Sequence, residues 1–169
     1  MTDITEHPTR EREVYCAVAV DTFSRRVVGW SIDSSPAATL VTSALGMAIG
    51  NRRSDGTIIA SDHGTQYASW AFTHRACRSG LVPSMGSIGG CYDARINAMI
   101  ESFWAHMQVE LLDRQRWRTR IELADAIFEY VEVFHNRHRR HSALGIRSPI
   151  ENERIHHNDP TTVPATQAS

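Results

Sequence analysis

Three carboxylates stand where they could do chemistry. Asp3 falls in the β-branched opening Thr2-Asp3-Ile4-Thr5, and Asp62 follows the strand-like run Thr57-Ile58-Ile59-Ala60 almost directly. Glu101 lies among Met99, Ile100, Phe103 and Trp104. An acid at a strand end followed by Gly64 fits a ligand site. Ligands collect beyond strand ends, and glycine lets a phosphate approach the backbone closely. An acid in apolar surroundings, as at Glu101, needs a cation or hydrogen-bond partners. Oxygen-only donors in this number suit Mg²⁺ or Mn²⁺, which bind carboxylates and retain several waters. By spacing alone the triple is unspecific, because a chain with 19 acids offers others.

A second candidate is basic. All 18 cationic residues are arginine, and the net charge of -1 hides an uneven distribution. Residues Arg114 to Arg147 carry 8 Arg against 4 acids, whereas Met1 to Asp113 carry 9 Arg against 12 acids. The segment is either a solvated face or a local phosphate-binding surface. Within it, His135, His138 and His141 recur every three residues, yet no carboxylate or cysteine pattern completes a zinc site. Interleaved with Arg137, Arg139 and Arg140, they read as a phosphate-contacting face. Asp21 resembles a catalytic acid in position, but caps the Thr22 to Arg25 turn on the better reading.

The elements that must position these groups are legible in outline. Met1 to His7, Val14 to Val20 and Arg26 to Ile32 read as three antiparallel strands with short polar connections. Ser34-Ser35-Pro36 supplies an N-cap and first-turn proline for a helix from Ala37 to about Gly50. Thr57 to Ala60 and Leu81-Val82 are short strands around a helix from Tyr67 to Arg78. After the glycine-rich Gly86 to Gly90 come helices at about Ala98 to Leu112 and Thr119 to Arg137. Thr119 and Glu122 match a capping box. Trp70, Phe72, Phe103, Trp104, Phe128 and Phe134 are expected in the core, and Tyr67 in packing. Strands followed by alternating helices and strands predict an α/β fold, a mixed sheet flanked by helices. Three cysteines without a CxxC exclude a disulfide framework or zinc finger. Cys16 to Val20 is too short to span a bilayer, and Met1 to Val14 lacks a signal-peptide pattern. A single soluble, cytosolic domain is expected.

Several longer motifs occur in one order: Thr2-Asp3-Ile4-Thr5, Asp21 to Trp30, Ser61-Asp62-His63-Gly64-Thr65-Gln66-Tyr67, Glu101-Ser102-Phe103-Trp104, and His135 to Pro149. Together they resemble the catalytic core of bacterial insertion-sequence transposases related to retroviral integrases, the insertion-sequence-three family (second reading frame product). The resemblance covers Thr2 to Glu153. It implies a ribonuclease-H-like fold with a five-stranded sheet, and an Asp, Asp, Glu triad of Asp3, Asp62 and Glu101 holding two Mg²⁺ or Mn²⁺ ions. It further implies DNA strand cleavage and strand transfer by in-line phosphoryl transfer, one ion activating the attacking oxygen and the other stabilising the leaving one. Arg137, Arg139, Arg140 and His141 are then the expected DNA contacts. Transposon-end and target DNA are the expected partners, with no membrane. A homo-oligomer is expected when active, in the bacterial cytoplasm and on the nucleoid when DNA-bound. Residues 1–155 would form the catalytic core, apparently without the upstream DNA-recognition region, and 156–169 a disordered tail.

The chain departs from the family pattern in ways that bear on activity. Asp62 and Glu101 are separated by 38 residues, against about thirty-five in the family motif. The surplus is Ala94-Arg95-Ile96, lying between Asp93 and Asn97. Position 60 is Ala where relatives carry His, and position 108 is Gln where relatives often carry a cation. Three added helical residues lengthen a helix by about 4.5 Å. Since Asn97 is a competent N-cap and the connector is rich in glycine, the insertion is expected in the loop. The competing readings are a catalytically silent remnant retaining fold and weak DNA or protomer binding, and a ribonuclease-H-like nuclease acting on other nucleic acid.

Overall fold

The computed structural model describes residues 1–52, 55–61, 64–85 and 91–157. Five strands, β1 (Thr2–Pro8), β2 (Glu13–Val20), β3 (Val27–Asp33), β4 (Ile58–Ser61) and β5 (Val82–Met85), form one sheet in the order β3-β2-β1-β4-β5. The first three are antiparallel neighbours, as alternation and short turns predict. β4 and β5 add in parallel on the other side of β1, with Thr2 beside Ser61. This is the expected mixed five-stranded sheet. Asp21 closes the β2–β3 turn as anticipated, its Oδ1 accepting from Phe23 N at 2.9 Å and Ser24 N at 3.0 Å.

Alternation along β2 splits the core into two layers. Val14, Cys16, Val18 and Val20 face helices α3 (Cys91–Glu110) and α4 (Arg120–Phe128), packing on Met99, Phe103, Met107, Leu123 and Ile127. Ala17 faces α1 (Ala38–Asn51) and α2 (Trp70–Arg78), against Leu40, Val41, Leu45, Phe72 and Ala76. Burying each such large side chain contributes roughly 1.5–3 kcal/mol. α1 lies very close to β3 at Gly29, where a Cβ would come within 2.2 Å of the Ala44 carbonyl oxygen. Only glycine admits that approach.

Several expectations are corrected. α1 starts at Ala38 with Ala37 at its cap, and neither Ser34 nor Ser35 caps it; Ser34 bonds to Asp33 instead. Thr119 does cap α4, accepting from Glu122 N at 3.1 Å, but the Glu122 carboxylate reaches back to Arg118 N rather than Thr119 N. α4 runs on into a π-helical stretch, Glu129–His138. Trp70, Phe128 and Phe134 are exposed rather than core, unlike the buried Phe72 and Phe103. Trp70 opens α2 on its solvent side, where it stacks on His74 one turn later at 4.5 Å. A last helix, α5 (Pro149–His157), extends two residues into the expected tail. It has its own capping box: Ser148 Oγ accepts from Glu151 N, and Ser148 N donates to the Glu151 carboxylate. No described helix is long and apolar enough to cross a membrane.

The insertion did not go into the loop. α3 is continuous from Cys91, so Ala94, Arg95 and Ile96 are helical. Two causes account for this. Ala and Arg are strong helix formers, and the helix is docked further along, through the buried Met99, Ile100, Phe103 and Met107. The added residues therefore extend α3 beyond its docked part, where Ala94, Arg95 and Asn97 are exposed.

Candidate active site

Asp3 occupies the second position of β1, opposite Val18 of β2, and so points to the α3 side of the sheet. It is half-buried. Its Oδ1 accepts from the following amide, Ile4 N, at 2.8 Å, and its Oδ2 accepts from the Trp104 indole N–H at 2.9 Å. The second bond is a tertiary tie between β1 and α3. Trp104 itself is steadied by an edge contact with Phe103 at 5.0 Å.

Glu101 lies one turn before Trp104 on α3, and its side chain is exposed. Residues three apart on a helix are neighbours, with Cβ atoms roughly 5–6 Å apart. The bond from Trp104 to Asp3 therefore turns the Glu101 side of α3 towards the start of β1. Asp62 and its neighbour His63 lie outside the described residues. The strand that leads to them ends at Ser61, beside Thr2, one residue from Asp3. Among the described residues no three His, Cys, Asp or Glu side chains form a metal-holding group.

Beside Asp3 is a cavity of about 250 Å³, lined also by Thr5, Glu6, Gly64, Gln66 and Tyr67. Tyr67 is buried as expected, edge-on to Phe72 at 5.3 Å. Its backbone N–H closes a turn on the Gly64 carbonyl at 3.0 Å, and Ser69 caps α2 just beyond. Gly64 to Ser69 thus carries the chain from the sheet edge into α2 along the wall of this cavity.

The basic run divides into parts with different roles. His135, expected as a phosphate contact, is instead 3% exposed, with Nε2 3.0 Å from the Arg25 carbonyl oxygen. Asn136 is also buried: its Nδ2 donates to Val27 O and its Oδ1 accepts from Val27 N, both at 3.0 Å. The side-chain amide pairs with the backbone of edge strand β3 as another strand would. Sequence reasoning missed this role. A polar pair directly after the apolar Val133 and Phe134 was the available signal. Arg137 and Arg140 are exposed, whereas Arg139 is paired with Glu110. His141 is half-buried against His135, ring centroids 5.1 Å apart. Burial, then the charges of Arg139, Arg25 and His106, push its pKa down to about 4.

A mixed sheet in this strand order, helices on both faces and an acid at the start of the central strand define a ribonuclease-H-like core. Residues 1–91 match the family model described as integrase core domain, and residues 101–160 match a second model of the same description. The chain belongs to the integrase core domain family. It is 37% identical over 153 residues to the transposase for insertion sequence element IS904 of Lactococcus lactis, a match covering 90% of this chain and 59% of that protein. It is 38% identical over 152 residues to transposase InsF for insertion sequence IS3A of Escherichia coli, covering 89% and 52%. The chain thus spans somewhat over half the length of these relatives. Its fold matches a chain of the simian T-cell lymphotropic virus intasome with TM-score 0.67 at 20% identity, covering 99% of this chain and 56% of that one. It also matches the HTLV-2 integrase catalytic core domain, solved in complex with magnesium, with TM-score 0.61 at 17% identity, covering 89% and 91%.

Proposed function

We propose that this chain is the catalytic core of a transposase, which cleaves DNA strands at transposon ends and transfers them to a target. The observation that carries the reading is the Trp104–Asp3 hydrogen bond in a chain of this family. It aims the acid-bearing side of α3 at the acid-bearing end of β1. Named transposases at 37–38% identity support the same class of reaction.

The residues suit divalent ions in their donor chemistry, since Asp3, Asp62 and Glu101 offer carboxylate oxygens alone, the hard ligands that Mg²⁺ and Mn²⁺ prefer. Those three would hold the ions. Held there, such ions would supply activation of the attacking oxygen and stabilisation of the leaving one in phosphoryl transfer. The chain itself supplies orientation. Trp104 fixes the Asp3 carboxylate by holding one of its oxygens, and Ile4 N holds the other. Gln66 and Thr5 line the cavity alongside, where a strand of substrate would lie. Arg137 and Arg140 offer exposed charge to phosphates, while Arg139 and His141 contribute from half-buried positions. Transposon-end and target DNA are the partners on this reading, with a homo-oligomer as the working form, in the bacterial cytoplasm and at the nucleoid.

The helical path of Ala94-Arg95-Ile96 favours a second reading, a silent remnant in which the lengthened α3 no longer presents Glu101 properly. One experiment separates them. Mn²⁺ titration and a strand-transfer assay on the wild type and on Asp62→Asn should show tighter ion binding in the wild type, with activity only there. Equal Mn²⁺ affinity in both proteins would sink the triad assignment. Ion binding without strand transfer in the wild type would favour the remnant.

A further inference from the structure

α3 has a second polar side. Away from Glu101 and Trp104, it presents Arg95, Ala98, Ser102 and His106 at helical spacing to a cavity of about 410 Å³. The β2–β3 turn closes one side with Arg25, and the segment after the π-helical stretch closes another with Arg139, Arg140 and His141. No carboxylate lines this cavity among the described residues. We propose that it is a binding site for a phosphate-type oxyanion, distinct from the carboxylate cavity at Asp3, and that its occupant in use is a phosphodiester of DNA.

The convergence is built from separate parts of the chain rather than from one flexible run. Arg25 sits in the left-handed region, φ 63°, with its N–H bonded to the Asp21 carbonyl at 2.8 Å and its own carbonyl held by His135. A non-glycine residue so placed is conformationally costly and is fixed only by its surroundings. Here those surroundings are His135 and the Asp21 turn, and they aim a cation at the cavity. Arg139 is neutralised by Glu110 at 2.5 Å. Arg25, Arg95 and Arg140 have no ion-pair partner among the described residues.

The groups already disfavour one another's charge. Burial first, then Arg95, lowers the Arg25 pKa. His141 is held down by burial and by Arg139, Arg25 and His106. Its Nε2 is a buried atom with no hydrogen-bond partner among the described residues. Such an atom costs free energy unless something pairs with it. An oxyanion would accept from that nitrogen once protonated and from the guanidinium groups, relieving both defects together. Arginine forks match phosphate oxygens two at a time, which favours phosphate over a monatomic anion.

The DNA occupant rests on the function proposed above, whereas the oxyanion site does not depend on catalysis by the acids and its test involves no metal ion. Inorganic phosphate titrated into the whole chain, followed by NMR of the histidine imidazoles, should shift the His141 signals and raise its pKa. Arg95→Gln, on an exposed helical position, should weaken phosphate binding about tenfold or more with an unchanged circular dichroism spectrum. Arg95→Lys should recover part of it. A short DNA duplex that displaces the phosphate identifies the phosphodiester as occupant. A duplex that binds without displacing phosphate retains the oxyanion site and overturns the DNA occupant. His141 signals indifferent to phosphate, or phosphate affinity indifferent to Arg95→Gln, would overturn the site.

Discussion

The two sides of α3 are held in opposite ways. Towards β1, the Trp104 indole N–H joins the helix to Asp3, and the acid Glu101 beside it stands in solvent. Towards the β2–β3 turn, Phe103 packs edge-on to His135 at 5.0 Å, and His135 and Asn136 are buried and bonded to the backbone of Arg25 and Val27. The acidic side carries its carboxylates at or near the surface. The basic side stands on buried polar scaffolding. A site for small hydrated ions needs open carboxylates, whereas gathering several cations needs a rigid frame to oppose their repulsion.

If that contrast is correct, the scaffold should be costly to remove. Asn136→Ala strips both partners from the Val27 backbone groups inside the protein, and leaving a buried group unsatisfied costs about 1–3 kcal/mol. Urea denaturation should show a loss of about 2–4 kcal/mol. A loss under about 0.5 kcal/mol would mean that water replaces the amide and that the frame is not a frame.

The same scaffold should make stability depend on pH. Burial, followed by the charges of His141, Arg139 and His106, pushes the His135 pKa down to about 4, from an unfolded value near 6.5. The unfolded chain therefore binds more protons between those values, so the neutral imidazole's contribution is fully present above pH 6.5 and is lost as pH falls towards 4. His141, with the same direction, adds to the slope. Denaturation midpoints measured at steps from pH 7 to pH 4.5 should fall. His135→Gln, which keeps a donor for the Arg25 carbonyl, should flatten the fall. An equal slope in the variant would place the proton uptake elsewhere.

The acid side should yield least in stability. Trp104→Phe keeps an aromatic ring against Phe103 but deletes the donor to Asp3. A hydrogen bond to a charged group contributes about 1.5–3 kcal/mol at most, and the half-exposed setting of Asp3 reduces this to about 1 kcal/mol. The informative readout is Mn²⁺ affinity. It should change in Trp104→Phe, because the carboxylate loses its orientation. A stability loss as large as that of Asn136→Ala would show that both sides are built alike.

The chain's own pattern determined the strands, the sheet class and the two-layer core, because alternation along β2 and helical spacing in α1 are local properties of the sequence. The ordered motifs marked Asp3, Asp62 and Glu101 as a set. Where Ala94-Arg95-Ile96 would go could not be read locally. Helix propensity and a glycine-rich connector pointed in different directions, and the docking of Met99, Phe103 and Met107 left the upstream turn free to be helical. The basic run misled for a related reason. His135 and Arg137 are near neighbours in one motif, yet one is 3% exposed and the other lies on the surface. Their fates diverge because residues two apart on a helical stretch point to different sides, one towards the sheet and the other towards solvent. Whether a given His meets solvent, a carbonyl or an anion depends on what packs across from it. In this protein that partner is the turn at Arg25, some 110 residues earlier in the chain, and only the folded chain brings the two together.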